Sequence, residues 1–312
     1  MPELILHHYP FSPFAEKIRL ILGHKKLPWH SVFIPNMMPK PDVVALTGGH
    51  RRTPFLQIGS DVYCDTALIC DVLEQLAPTP SLYLPAHKGL VRIVAQWADS
   101  LLFPVAMAYN FKPEAAQRFF ANQDPAHVQA FVADRTAMRG GAARMPASDA
   151  AGMYKSYLRR LSHMLEGQPY LFGDQASLAD FSAVHPLWFT TQMVPVAADI
   201  LNATPDVRAW VDRMLAIGHG DNTAMTASDA IAVAHSAKPA ALDPGQFFQD
   251  EHGIALGSQV VIQAESFGTE PTAGELVAAT RTRYTVRRTD PRAGTVQVHF
   301  PRIGFAMKRA DA

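Results

Sequence analysis

Residues 4–9 form a short apolar strand signal that runs into two prolines and a hydroxyl, Pro10-Phe11-Ser12-Pro13. Helical spacing follows at once, with Ile18, Ile21 and Leu22 on one face over residues 15–24. This junction constrains the fold because it sets a strand end against a helix N-terminus. Such a terminus presents unpaired N–H groups and a partial positive charge. Ser12 therefore has two readings: a helix cap, since Ser and Pro are favoured at that position, or a hydroxyl that donates to an anion held there.

The rest of residues 1–77 continues the alternation. Residues 29–34 and 53–58 read as strands, and 62–64 pairs with the latter as a hairpin across Gly59-Ser60-Asp61. Residues 66–75 read as a helix with Leu68, Ile69, Val72 and Leu73 facing inward. The order βαβ(α)ββα is complete by residue 77. Residues 78–88 hold three prolines without periodicity and read as a linker. From 89 to 237 the signals are helical, at 90–110, 113–122, 126–138, 149–166, 178–193, 206–218 and 228–237, and Pro104 should bend the first of them. Residues 240–312 change again, to short strands with Val296, Val298 and Phe300 on one face of a strictly alternating run. They predict a small antiparallel β-domain, barrel-like in outline.

With 312 residues, 48% of them hydrophobic, and a net charge of zero, the chain has ample core for two or three domains. Its charge balance gives no general reason to expect nucleic acid or an anionic membrane as a partner. Arg281, Arg283, Arg287 and Arg288 near Tyr284 read as a solvated strand face. Cys64 and Cys70 sit among apolar neighbours and read as buried, reduced thiols of a cytoplasmic protein. No apolar run reaches the ~18 residues of a membrane span. No secretory signal is visible. The 13 histidines show no metal-ligand spacing, and no phosphate-binding glycine loop occurs.

Two further segments carry chemistry. Pro54, in Arg51-Arg52-Thr53-Pro54, is awkward at the start of a buried strand because it cannot donate to the ladder. A cis peptide before it would turn the Thr53 backbone outward, whereas a trans proline would simply begin an edge strand. Asp65 and Thr66, in Cys64-Asp65-Thr66-Ala67, stand at the turn into a helix. They read as plain N-caps or as a carboxylate, hydroxyl and N–H that grip an ammonium–carboxylate group.

In order and spacing, these three segments resemble the N-terminal domain of the glutathione S-transferase superfamily. Ser177-Leu178-Ala179-Asp180 and Pro205-Asp206-Val207-Arg208-Ala209-Trp210 resemble two helix starts of that family's helical domain. The resemblance covers residues 1–236 and leaves 240–312 unmatched. It implies a thioredoxin-like α/β domain, then an all-helical domain. It also implies a glutathione-dependent transferase acting on an apolar electrophile, without a metal, and a homodimer.

At the level of residues, the resemblance makes Ser12 the group that polarises the glutathione thiol, with Tyr9 as its rival. The matching omega-class motif is Cys-Pro-Phe-Ala. Ser12 and Ala15 in place of cysteines disfavour mixed-disulfide and dithiol chemistry. Thr53, before a cis Pro54, would meet the cysteinyl part, and Asp65 and Thr66 the γ-glutamyl end. Lys40 would meet the glycyl carboxylate, with Arg51 or Arg52 as alternatives. Phe14 is counted with the glutathione-binding residues and, with Phe11, Trp97, Phe103, Tyr109 and Trp188, is a candidate wall of an electrophile pocket between the domains. Gly48-Gly49-His50-Arg51-Arg52 departs from the family's Asn-Pro-x-Gly. A non-catalytic binding protein of the same fold, or a glutathione-dependent lyase or dehalogenase, are the alternatives.

Overall fold

The computed structural model describes residues 2–242, 248 and 251–310. Strand β1 (Ile5–His8), helix α1 (Pro13–His24), β2 (Trp29–Phe33), α2 (Pro41–Thr47), β3 (Phe55–Ile58), β4 (Asp61–Cys64) and α3 (Thr66–Leu76) follow in the order expected. β1 pairs parallel to β2 and antiparallel to β3, and β3 forms the hairpin with β4. The peptide before Pro54 is cis. Strand β3 accordingly starts at Phe55, after the proline, and so loses no ladder hydrogen bond.

Helices α4 (Lys88–Trp97), α5 (Phe103–Asn110), α6 (Pro113–Phe119), α7 (Pro125–Arg139), α8 (Ala147–Met164), α9 (Leu178–Trp188) and α10 (Pro205–Leu215) build the helical part. The expected bend at Pro104 appears as a widened π-type stretch, Ala98–Leu102, between α4 and α5. A proline lacks the N–H that would continue the α ladder there. Pro85–Asn110 is nonetheless one 26-residue helical run, long and apolar enough by length and composition to cross a membrane. It is not an uninterrupted apolar run, since Arg92, Gln96, Asp99 and Ser100 divide it. In the fold, its Val91, Ala95, Ala98 and Leu102 are buried in the core shared with α1, α3 and α9. Asp180, the acid of the predicted Ser177 box, accepts from the Ser177 N–H and hydroxyl, from Leu171 N and from Trp210 Nε1 at 2.8–3.1 Å. Both helix-start motifs thus meet on one buried carboxylate.

The chain then returns to the sheet. β5 (Asn222–Ala224) adds to β2, and α11 (Ala227–Ser236) packs with α2, β2 and β9. β6 (Gln259–Ala264), β7 (Thr272–Ala279), β8 (Arg283–Asp290), β9 (Gly294–Pro301) and β10 (Phe305–Arg309) are antiparallel to one another, as expected. They do not close into a barrel. β9 pairs parallel to β4, which gives one open ten-stranded sheet ordered β10-β6-β7-β8-β9-β4-β3-β1-β2-β5. One core lies between this sheet, α2 and α11, and a larger one joins α1 and α3 to the helical part. Cys64 and Cys70 are free and buried.

The unusual Gly48-Gly49-His50 segment is where the C-terminal strands dock. Thr272 Oγ1 donates to Thr47 O at 2.9 Å, and Arg288 Nη1 donates to Ala45 O at 2.6 Å. His50 packs edge-on to Phe300. Gly49 has φ +153°, and a Cβ there would stand 2.1 Å from Pro271 O. We therefore expect Gly49→Ala to destabilise the protein by about 2–3 kcal/mol. Gly141→Ala, where a Cβ meets nothing within 4 Å, should change stability little. Urea unfolding of both variants checks this.

Candidate functional site

The strand registers bring the three predicted segments together. β1 and β3 run antiparallel with His7 opposite Phe55, so the turn after β1, with Tyr9, and the approach to β3, with Thr53, leave the sheet at the same end. Phe55 also faces Cys64 on β4. The carboxyl end of β1, the start of β3 and the carboxyl end of β4 therefore lie at one edge of the sheet. The N-termini of α1 and α3 open onto that edge, where helix ends attract anions. Ser12, Thr53, Pro54, Asp65 and Thr66 all stand on it.

Ser12 is buried at 2% exposure and caps α1, with its Oγ accepting from Ala15 N at 3.2 Å. Capping uses a lone pair of the oxygen and leaves the hydroxyl proton as a donor. Both sequence readings of Ser12 are thus compatible in one geometry. The turn before it is held by Arg19, whose guanidinium donates to Pro10 O at 2.9 Å and Tyr9 O at 3.4 Å. Arg19 is anchored by Glu16, and Glu16 by His219 at 3.0 Å. The Tyr9 ring lies tilted against Phe11, 4.8 Å between centroids, and its hydroxyl is flanked by Ser12 and by Arg135 of α7. Burial raises the Tyr9 phenol above its ordinary range, against the pull of Arg135. Tyr9 is therefore a neutral phenol at physiological pH.

Asp65 caps α3, its carboxylate accepting from Ala67 N at 2.9 Å. Its backbone holds φ +77°, a conformation that costs a non-glycine residue energy and clusters at functional sites. Burial raises its carboxyl above the usual range, partly offset by that Ala67 bond. Thr66 Oγ1 accepts from Lys17 Nζ at 3.3 Å. Lys17, fully buried on α1, pairs with Asp99 at 2.7 Å. Asp99 lies in the π-type stretch and also accepts from His185 Nε2 of α9 at 3.0 Å. Burial opposes the charge on Lys17 and on Asp99. Their mutual attraction wins, so Lys17 is raised and Asp99 lowered from their ordinary values. Phe14 and Phe103 close over this network, their rings 4.7 Å apart and Phe14 4.6 Å from His185. Those two line the seam between the domains. Trp97 turns to Tyr157, Tyr109 to Tyr154, and Trp188 is buried beside Phe189.

The other end of the site is cationic. Lys40 is buried, donates to Arg51 O at 3.3 Å and lies 5.8 Å from the Tyr9 ring. Burial, reinforced by the Arg135 charge, lowers it to about 8. Arg51 pairs with Asp134 of α7 at 2.5 Å and with Glu270, in the β6–β7 connection, at 2.7 Å. Arg52 Nε donates to Phe267 O at 2.6 Å. Lys17, Asp99, Asp134, Arg135, His185 and Glu270 were not legible as site residues, because each acts through a partner 80 or more positions away or on another layer. Thr53 Oγ1 is buried and has no partner among the described residues. Among the described residues no group of three or more His, Cys, Asp or Glu is placed to hold a metal.

The buried ion pair yields a direct expectation. Asp99→Ala strands the Lys17 ammonium and should cost about 3–5 kcal/mol, whereas a Lys17→Met, Asp99→Leu double variant should recover most of that loss. A double-mutant cycle by chemical unfolding measures it.

Comparison with known proteins agrees with this fold. The sequence profile of the glutathione S-transferase N-terminal domain matches residues 6–81, and that of the C-terminal domain matches residues 125–213. A solved GST-like protein from Pseudomonas syringae is 41% identical with a TM-score of 0.83, covering 99% of this chain and 100% of that one, so the likeness spans the C-terminal strands too. FtsZ-localized protein A of Caulobacter vibrioides is 25% identical over 186 residues, 58% of this chain and 74% of its own length. A glutathione transferase from Populus trichocarpa is 15% identical with a TM-score of 0.52, covering 68% of this chain and 93% of that one, a likeness of fold alone. The chain belongs to the glutathione S-transferase superfamily, with an antiparallel C-terminal sheet added to the edge of its thioredoxin-like domain.

Proposed function

We propose that the protein is a glutathione-dependent transferase in which Ser12 stabilises the thiolate of bound glutathione. The observation that carries this reading is the Ser12 cap, whose buried oxygen is fixed at the α1 terminus by Ala15 N with the Tyr9 hydroxyl beside it. A preorganised donor at a helix N-terminus lowers the cost of a nearby anion. Thr53, held by the cis Pro54, supports main-chain pairing with the cysteinyl part. Asp65 and Thr66 hold the γ-glutamyl end, and Lys40 takes the terminal carboxylate. The electrophile packs against Phe14 and Phe103 at the seam. Ser12 forms no covalent bond in this scheme and acts only by hydrogen bonding. Pairing of two copies is part of the proposal, and the exposed Leu90, Ile93 and Leu101 supply apolar area for it.

A second reading, a binding protein with a protein partner, has its own support. Arg51 and Arg52 are already engaged within the chain. A relative is named for localisation with FtsZ. Wild-type protein that neither binds glutathione nor turns over a model electrophile would favour this reading.

Ser12→Ala tests the first reading. Turnover with a model electrophile should fall about 10²-fold through loss of the donor. Stability should fall by only about 1 kcal/mol through loss of the cap. Unchanged turnover contradicts the role.

Lys40 supplies a pH signature. Its ammonium is present below about 8 and lost above, and only the charged form attracts a carboxylate. The groups facing it are Arg51, Arg135, Asp134 and Glu270. Affinity for S-methylglutathione, which has no titrating thiol, should fall as pH rises through about 8. Lys40→Met should flatten that profile, as calorimetry across pH will show.

A further inference from the structure

Four cations crowd the carboxylate end of the site: Lys40, Arg51, Arg52 and Arg135. Their counter-charges are not equivalent. Asp134 sits on α7 and binds Arg51 at 2.5 Å and Arg135 at 2.6 Å, so its carboxylate is fixed from two sides. Arg135 is tied further to Asn36 O at 2.7 Å. Arg52 is spent on the Phe267 carbonyl. Glu270 is held differently. It reaches Arg51 Nε at 2.7 Å, but the contact lacks the alignment of a hydrogen bond, so Arg51 Nε is a buried donor without an acceptor among the described residues. The second oxygen, Oε2, is buried without a partner among the described residues, while the side chain as a whole is 38% exposed. Lys40 has a carbonyl for a partner and, among the described residues, no carboxylate of its own.

We propose that Glu270 is a specificity-determining residue of this site. Its carboxylate stands on Arg51 in place of the C-terminal carboxylate of a γ-glutamyl thiol. This rests on the glutathione-binding reading above. A ligand bearing that charge must displace Glu270, and the exchange replaces one misaligned ion pair with another carboxylate beside Lys40 and Arg51. A ligand with that end uncharged leaves Glu270 in place on Arg51 and forgoes only the contact with Lys40. The added C-terminal sheet thereby levels the usual advantage of a charged terminus and opens the site to γ-glutamyl thiols whose carboxyl end is esterified, amidated or absent. The segment bearing Glu270 is held by its own main chain, through Gly268 N to Met138 O at 2.7 Å. Its position therefore does not depend on the Glu270 charge.

The test is calorimetric titration of the full chain with glutathione and with its glycyl monoethyl ester. In the wild type the two ligands should bind within about twofold of each other. In Glu270→Gln, glutathione should bind about 5- to 10-fold tighter and the ester unchanged. Glu265→Gln, which removes the same charge from an exposed position in the same connection, should behave as wild type. Glu270→Asp, with a shorter reach, should fall between, and thermal unfolding of each variant reports its folding. The same ligand ratio in wild type and Glu270→Gln overturns the proposal and leaves glutathione binding standing. Absence of binding by both ligands to both proteins overturns the proposal together with the reading beneath it.

Discussion

The parallel pairing of β9 with β4 is the constraint on which the carboxylate end of the site depends. Without it β4 is an edge strand, with a row of unpaired backbone groups. Asp61↔Gln297, Val62↔Val298 and Tyr63↔His299 close that edge. The junction is locked by side chains as well. Asp61 accepts from His299 Nε2 at 2.8 Å and from Ala240 N at 2.8 Å, Thr285 bonds the other ring nitrogen at 2.9 Å, and the Tyr63 ring stacks on the imidazole at 4.5 Å. Burial holds His299 below its ordinary value despite Asp61, which favours a neutral ring. Because β9 is fixed there, the β6–β7 connection arrives over Arg51 and Arg52.

The two ends of the site therefore have different origins. The thiol end is framed within the first 77 residues, by strand ends and two helix caps set by local sequence, and is braced from outside by His219, Arg135 and Asp99. The carboxylate end is assembled from the thioredoxin-like domain, α7 and the C-terminal sheet. Behind Thr66 runs the Lys17–Asp99–His185 network, which ties α1 to the helical part through charges that tolerate no unpaired member. A change of packing between the domains would thus be felt at Thr66, through Lys17.

Much of the thiol end was legible because its signals are local. Ser12 before Pro13, Pro54 at a strand start and Asp65-Thr66 at a helix start each declare a backbone geometry within a few residues. The Asp180 box was legible for the same reason. The carboxylate end was not, since Arg51 meets Asp134 and Glu270 across 83 and 219 positions, and no local pattern encodes such a pairing. Alternation revealed strands β6–β10 but not their partner, so a barrel was expected where an open extension of the first sheet exists. β5, three exposed residues long, offered no periodicity at all. The Gly48-Gly49 departure from the family pattern was visible as an anomaly. It acquires its reason only when Pro271 and Arg288 are seen against those glycines.

The central claim is that the Ser12 hydroxyl, at the N-terminus of α1, stabilises a thiolate. The most direct measurement is the ultraviolet thiolate titration of glutathione bound to wild type and to Ser12→Ala. The account predicts a bound thiol that ionises well below the ~8.5 of a free cysteine thiol, and a return towards that value in the variant. A bound thiol that titrates like the free peptide in wild type would contradict it.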